Sequence, residues 1–323
     1  SLSMSSSLYS PASKHATGSL DRRTFLKGLG AALALPWLAP RAAAVSVATP
    51  ATHNIVTANI RVALPEDEAT GNGWKGRREL CADVILRQKP DIICLQEVLR
   101  EQASDLQASW PDHAMLGFAG PEMDAHATGY HGIAKNPIFY SRARYELTAA
   151  GGFWLSETPH LPGSLSWGTA RARHVNWVRL KARDSGREMR VLSTHLDHQS
   201  QPAREKQMAL ILAEAALYPA DFSQLLAGDL NARVDNPVCK LVAQAGWTDS
   251  YAEVRGAAGD GFTVHGFKGP AYERPDGRLP AGRIDFIFSR GAVQPTAAEI
   301  IRDGRDGRYP SDHYFVSAQI ALT

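Results

Sequence analysis

Six short segments of this chain end or open an apolar run with strongly polar side chains. They are Thr57-Ala58-Asn59-Ile60-Arg61, Leu95-Gln96-Glu97-Val98, Ser193-Thr194-His195-Leu196-Asp197-His198, Ala227-Gly228-Asp229-Leu230-Asn231-Ala232, Gly282-Arg283-Ile284-Asp285-Phe286 and Pro310-Ser311-Asp312-His313. A carboxylate set against buried apolar residues is costly unless it is paired or bound to a cation. A cap or an ion pair explains one such residue. Six recurrences in one chain point instead to a shared site of carboxylates, amides and imidazoles. Asp229 and Asn231 stand two positions apart, so an extended backbone would turn both toward one side.

The elements that must position these residues are short strands alternating with helices. Strands are expected over 54–60, 91–96, 137–140, 175–180, 189–195, 223–226, 284–289 and 314–320. The run 91–96 is apolar almost to its end, the pattern of a strand buried on both faces. A helix is expected over 76–88, with Leu80, Val84, Ile85 and Leu86 on its apolar face. A stronger one spans 201–217, where Met208, Ile211, Leu212 and Ala215 repeat at helical spacing. The stretch 99–109 reads as a short helix or as none. Gly- and Pro-rich loops separate the elements at 119–136, 157–173 and 255–283. With no interior linker or repeat, residues 45–323 read as one α/β domain whose polar residues gather at strand ends.

Composition narrows the class. The chain has 323 residues, is 44% hydrophobic and 21% charged, and holds three cysteines, which excludes a fibrous repeat, a disordered chain and a disulfide-dense scaffold. Cys81 and Cys94 fall among apolar neighbours and read as small buried hydrophobes. Residues 1–44 hold five of the 35 Lys and Arg and one of the 33 Asp and Glu, leaving 30 against 32, net −2, for the rest. Bulk charge therefore gives no steering toward nucleic acid. A Ser-rich leader precedes Asp21-Arg22-Arg23-Thr24-Phe25-Leu26-Lys27, an apolar run from Gly28 to Leu38, and Ala42-Ala43-Ala44. That order resembles a bacterial twin-arginine export signal. The expectation is export to the periplasm or beyond, with cleavage close to Val45. No later segment has 18 consecutive apolar residues.

The six segments, in this order from Asn59 to His313, resemble the endonuclease/exonuclease/phosphatase superfamily of DNase I-like proteins. Phe153-Trp154-Leu155-Ser156-Glu157-Thr158-Pro159, with Asn136-Pro137-Ile138-Phe139-Tyr140 upstream, is similar to a bacterial branch of it. The resemblance implies a four-layer α/β/β/α sandwich, two packed mixed sheets flanked by helices. It also implies Mg²⁺, with Mn²⁺ as a substitute, held by Glu97 and Asp312, with Asn59 and Asp229 as further candidates. Asn59 would position metal-bound water or phosphate, Asp229 would orient or deprotonate the attacking water, and Asn231 would donate to a phosphoryl oxygen. His195 would contact phosphate, and His313 would pair with Asp285. Whether Asp229 or His313 takes the proton stays open at this point. Arg61, Lys135, Asn136, Arg171, His198 and Arg204 are candidate substrate contacts, and Trp74, Trp154 and Trp167 candidate pocket walls. Relatives carry an acidic residue just before Pro-Ile-Phe-Tyr; here the stretch is Gly132-Ile133-Ala134-Lys135-Asn136, without one.

The function expected is metal-dependent hydrolysis of a small phosphodiester or phosphomonoester by in-line water attack. The substrate would be of the lipid-headgroup, inositol-phosphate or sugar-phosphate type. An exported nuclease acting on DNA or RNA is the alternative. A ligand-binding protein gives no reason for Glu97, Asp229, Asn231 and His313 together. No Gly-x-Ser-x-Gly elbow marks a serine hydrolase, and no dense His/Cys spacing marks a zinc site.

Overall fold

The computed structural model describes residues 51–119, 133–256, 261–274 and 282–323. The expected leader and signal, and parts of the loops 119–136 and 255–283, lie outside the described residues. In chain order the strands are β1 (Thr52–Asn59), β2 (Ile92–Gln96), β3 (His113–Leu116), β4 (Ile138–Ser141), β5 (Tyr145–Trp154), β6 (His174–Ala182), β7 (Glu188–His195), β8 (Gln224–Asp229), β9 (Thr248–Asp249), β10 (Asp285–Arg290), β11 (Val293–Ile301) and β12 (Phe315–Leu322). The helices are α1 (Pro65–Ala69), α2 (Trp74–Arg87), α3 (Arg100–Ser109), α4 (Gln201–Ala215), α5 (Pro237–Gln244) and α6 (Ser250–Arg255). One sheet runs β11-β12-β1-β2-β4-β3 and the other β5-β6-β7-β8-β10-β9.

Side-chain alternation builds the layers. In β2, Ile92 and Cys94 enter the core between the sheets, while Ile93 and Leu95 pack outward with Trp74, Leu80, Val84 and Leu106 of α2 and α3. In the second sheet, Val191 and Leu225 face inward, and Leu192 and Leu226 meet Met208 and Ile211 of α4 and Val238 of α5. The result is a four-layer α/β/β/α sandwich. Strands covered on both faces must be apolar on both, so β2 reads as an unbroken run rather than an alternation. Truncating a fully buried member such as Ile287 to Ala should cost roughly 2–5 kcal/mol.

Several elements escaped the sequence. The β5 strand, to which the sequence reading assigns no element, contains Ala150-Gly151-Gly152. A Cβ at Gly151 would come within 2.7 Å of the Trp177 ring on β6, so the strand is glycine-rich to admit that indole. The β11 strand carries Pro295 and lies at a sheet edge, where a missing N–H is tolerated. The ambiguous stretch 99–109 forms α3.

Pairing direction brings the polar segments to one end. The β1–β2 and β7–β8 pairs are parallel, so Asn59, Glu97, His195 and Asp229 all leave their strands at the same ends. The β10 strand runs antiparallel to β8 with Asp285 opposite Asp229. The β12 strand runs antiparallel to β1, placing Asp312 and His313 just ahead of it.

Candidate active site

The strand ends turn sharply where the site begins. Arg61, Glu97 and Asn231 have φ of 60°, 63° and 48°, a left-handed conformation that L-residues adopt only when surrounding structure enforces it. The buried Arg77 guanidinium donates to the Ile60, Arg61 and Pro310 carbonyls, fixing the exit of β1 against the segment that leads to His313. Gly228 lets β8 close on β7, since a Cβ there would lie 2.0 Å from the Thr194 oxygen.

Asn59 sits between two carboxylates. Its Nδ2 donates to Glu97 Oε1 and to Asp229 Oδ2, both at 3.0 Å, while its Oδ1 accepts from the Arg61 N–H at 3.0 Å. The amide nitrogen, not the oxygen, therefore faces the carboxylates. So placed, Asn59 spaces Glu97 and Asp229 and holds both carboxylates in position. Glu97 Oε2 accepts from the Val62 N–H at 2.9 Å. Burial would raise the Glu97 carboxyl, but these hydrogen bonds and the charges of His313 and Arg61 hold it below its usual range.

Asp229 is the centre of the arrangement. Its Oδ2 lies 3.4 Å from His195 Nε2 and 3.9 Å from His313 Nε2, and its Oδ1 accepts from the Asn231 N–H at 2.8 Å. Burial, then the charge of Asp285, pushes its carboxyl up to about 7. His313 Nδ1 meets Asp285 Oδ2 at 2.9 Å. Burial alone would discharge His313, yet Asp285, Asp312 and Asp229 together hold its imidazolium well above the ordinary histidine range. His195 is the opposite case: burial, then the nearby Arg173 charge, keeps it neutral. Two imidazoles of opposite protonation thus flank one carboxyl poised near neutrality.

Asn231 differs from its expected role. The chain turns left-handed there instead of continuing as strand, and Nδ2 donates to His195 Nε2 and to the Leu196 carbonyl, each at 3.0 Å. Both amide hydrogens are engaged, so Asn231 holds the His195 ring and is not a free phosphoryl donor.

Glu97, Asp229, Asp312, His195, Asn231 and His313 line one cavity of about 310 Å³, together with Arg61, Arg171, Arg173 and His198. Arg61 pairs with Asp67 at 2.8 Å and lies 3.5 Å from Asp312. Three other expected contacts are absent from this wall. Arg204 donates to the Gln201 side chain and the Asp197 carbonyl. Asn136 spends its amide on the His174 carbonyl, bridging the sheets. Lys135 is 6% exposed and pairs through its backbone with Val98. The three tryptophans do not line it either: Trp74 donates to Asp105, Trp154 stacks on Phe118, and Trp167 anchors Ser200 through its carbonyl. Sequence reasoning missed Arg77 and Arg173. The one signal for Arg173 was its spacing from Arg171.

The donor set fits a hard divalent cation. Asp229, Asp285 and His313 present ligand atoms within 4.8 Å of one another, but His313 is held protonated by Asp285 and would repel a cation. Glu97 and Asp312 are the better pair: both line the cavity, and the Glu97 charge, after burial, raises the Asp312 carboxyl. A cation would relieve that repulsion.

Comparison with known proteins bears on the family and the fold. A mannosyl-6-phosphatase from Bacteroides thetaiotaomicron superposes with a TM-score of 0.73 at 25% identity, covering 83% of this chain and 99% of that one. Drosophila melanogaster nocturnin is 29% identical over 187 residues, 55% of this chain and 26% of nocturnin. An uncharacterised protein of Acanthamoeba polyphaga mimivirus is 28% identical over 134 residues, 39% of this chain and 19% of that protein. The chain thus spans about a quarter or less of these two curated relatives. Residues 56–313 match the endonuclease/exonuclease/phosphatase family, and the chain belongs to that family.

Proposed function

We propose that the protein hydrolyses a small phosphoester by in-line attack of water, with a divalent cation at Glu97 and Asp312. The observation that carries this reading is Asp229, set 3.4 Å from His195 and 3.9 Å from His313 in one cavity with Glu97 and Asp312. A carboxyl titrating near 7 suits a group that orients water and accepts its proton. His313, kept protonated by Asp285, is already a donor and not a base. As the water oxygen bonds phosphorus and the ester P–O bond breaks, the water proton therefore goes to Asp229 and the departing oxygen takes its proton from solvent. Its imidazolium stabilises charge on the phosphoryl group. His195, fixed by Asn231, completes the wall around the reacting phosphorus. The cation would offset the negative charge that develops on the phosphoryl oxygens.

A compact cavity and net −2 for residues 45–323 favour small phosphorylated molecules over nucleic-acid polymers. The structural likeness to a mannosyl-6-phosphatase adds sugar phosphates to the front of the list. The test is a screen of Mg²⁺- and Mn²⁺-loaded protein against sugar phosphates, inositol phosphates, phospholipids, DNA and RNA, each corrected for a Glu97→Gln control. A sugar or inositol phosphate should turn over fastest. Faster nucleic-acid cleavage, abolished in the control, would make the protein a nuclease.

A further inference from the structure

The cavity has two sides of opposite charge. Glu97 and Asp312 come from the β2 and β12 ends of the first sheet. Arg171, Arg173 and His198 come from the segment entering β6 and the segment leaving β7 in the second. Arg173 is 6% exposed, its Nε meets no partner, and its Nη2 lies 3.2 Å from His198 Nδ1. Among the described residues no carboxylate pairs with it. A guanidinium taken out of water without a counter-charge is costly, and its free donor edge suits an oxyanion. Burial and the Arg173 charge keep His198 neutral, so Nδ1 accepts from Arg173 and the ring proton resides on Nε2.

This basic wall is held rigid from behind. Asp197 is 3.9 Å from His198, but its carboxylate is committed to the backbone N–H groups of Ala170, Gln199 and Ser200 at 2.9, 3.0 and 2.7 Å. It therefore ties the segment bearing Arg171 and Arg173 to the segment bearing His198. The Ser200 hydroxyl bonds to the Trp167 carbonyl and Gln207 to Thr169, closing the same joint.

We propose that Arg171, Arg173 and His198 form a second anion subsite, which receives a phosphate other than the one being hydrolysed and so selects small bisphosphorylated substrates. This rests on the phosphoesterase reading above. The scissile phosphate lies between the cation side and His195 and His313. The second phosphate lies against the guanidinium edge, within a cavity at the small end for ligand pockets (about 300–1,000 Å³).

The test compares kcat/KM for glucose 1,6-bisphosphate, glucose 1-phosphate, glucose 6-phosphate and a short oligonucleotide, using the full chain loaded with Mg²⁺. Calorimetric binding of the bisphosphate and the monophosphates is measured in parallel with Ca²⁺. The bisphosphate should be favoured ~10-fold or more, chiefly through KM, a difference of one well-placed charged contact. Arg171→Gln with His198→Asn should reduce that preference to about 3-fold or less, and Arg173→Lys should reduce it in part, whereas exposed Lys206→Gln on α4 should leave the ratio unchanged. Equal handling of mono- and bisphosphates by the native protein, or equal losses on all substrates in the variants, overturns the subsite. A preference for the oligonucleotide that falls in the same variants also overturns it. If no phosphoester turns over, the function above fails, and the binding ratio alone decides the subsite.

Discussion

Replacing Asp229 by Asn should stabilise the cation-free protein at pH 8 while removing its activity. The Asp229 side chain is 2% exposed, and burial and Asp285 raise its carboxyl from 3.8 to about 7. A carboxyl raised in the folded state binds its proton more tightly there than in the unfolded chain. Its ionisation therefore costs nothing below pH 3.8, costs more as pH rises, and costs the full amount above about 7. Roughly three pH units at ~1.4 kcal/mol each set a ceiling of ~4 kcal/mol. Asparagine keeps one acceptor for the Asn231 N–H but turns a donor toward the Asn59 amide, a loss of about 1–2 kcal/mol. The net gain at pH 8 is ~2–3 kcal/mol, which raises Tm by roughly 5–10 °C for a domain of this size. The gain should cross zero near pH 5. Urea unfolding in chelator at pH 4.5 and pH 8 reads both limits, and turnover of a phosphomonoester should fall by ~2–4 orders of magnitude. A variant less stable than the native protein at both pH values would refute the reasoning, because Asp229 would then be a compensated structural charge.

The remaining predictions concern the dyad, the strand junction and the leader. Asp285→Asn should lower the pKa of His313, visible by NMR as loss of the imidazolium above neutral pH. It should also narrow the alkaline side of the pH–rate profile and reduce turnover ~10²-fold or more; an unchanged His313 titration would show the 2.9 Å pairing to be irrelevant. Gly228→Ala drives a methyl into the Thr194 carbonyl on β7 and should cost ~3 kcal/mol or more, measured by thermal unfolding; a loss below 1 kcal/mol would contradict the close approach. If residues 1–44 are an export signal, intact-mass measurement of periplasmic protein should find a chain beginning near Val45, and retention of Arg22 and Arg23 would sink that reading.

The site was legible where one residue type at a strand end admits few explanations. Glu97, Asp229, Asp285 and His313 each break an apolar run. Parallel pairing of β1 with β2 and β7 with β8 carries the first two to one end of the sandwich, and antiparallel pairing of β10 and β12 carries the other two there. What each side chain does was less visible. Two-residue spacing suggested that Asp229 and Asn231 share a face, but the strand stops at Asp229 and a left-handed turn sends the Asn231 amide to His195. Arg204 looked no different in sequence from Arg173. Only the tertiary fold decides that one lies along the α4 start, bonded to Gln201 and the Asp197 carbonyl, while the other is buried against the cavity. Strands such as β5 were hidden because their glycines serve a neighbour's ring, a contact no local pattern encodes.

The central claim is that Glu97 and Asp229 belong to one cation-dependent site that hydrolyses phosphoesters. Paramagnetic Mn²⁺ binding and turnover of p-nitrophenyl phosphate, measured in the same samples of native protein, Glu97→Gln and Asp229→Asn, test it most directly. The native protein should bind Mn²⁺ and turn over in proportion to the bound ion, with no turnover in chelator. Glu97→Gln should lose most Mn²⁺ affinity and ~2–3 orders of magnitude in rate, whereas Asp229→Asn should retain much of the affinity and lose the rate. Turnover that persists in chelator, or Mn²⁺ binding and rate that are unchanged in Glu97→Gln, would contradict the account.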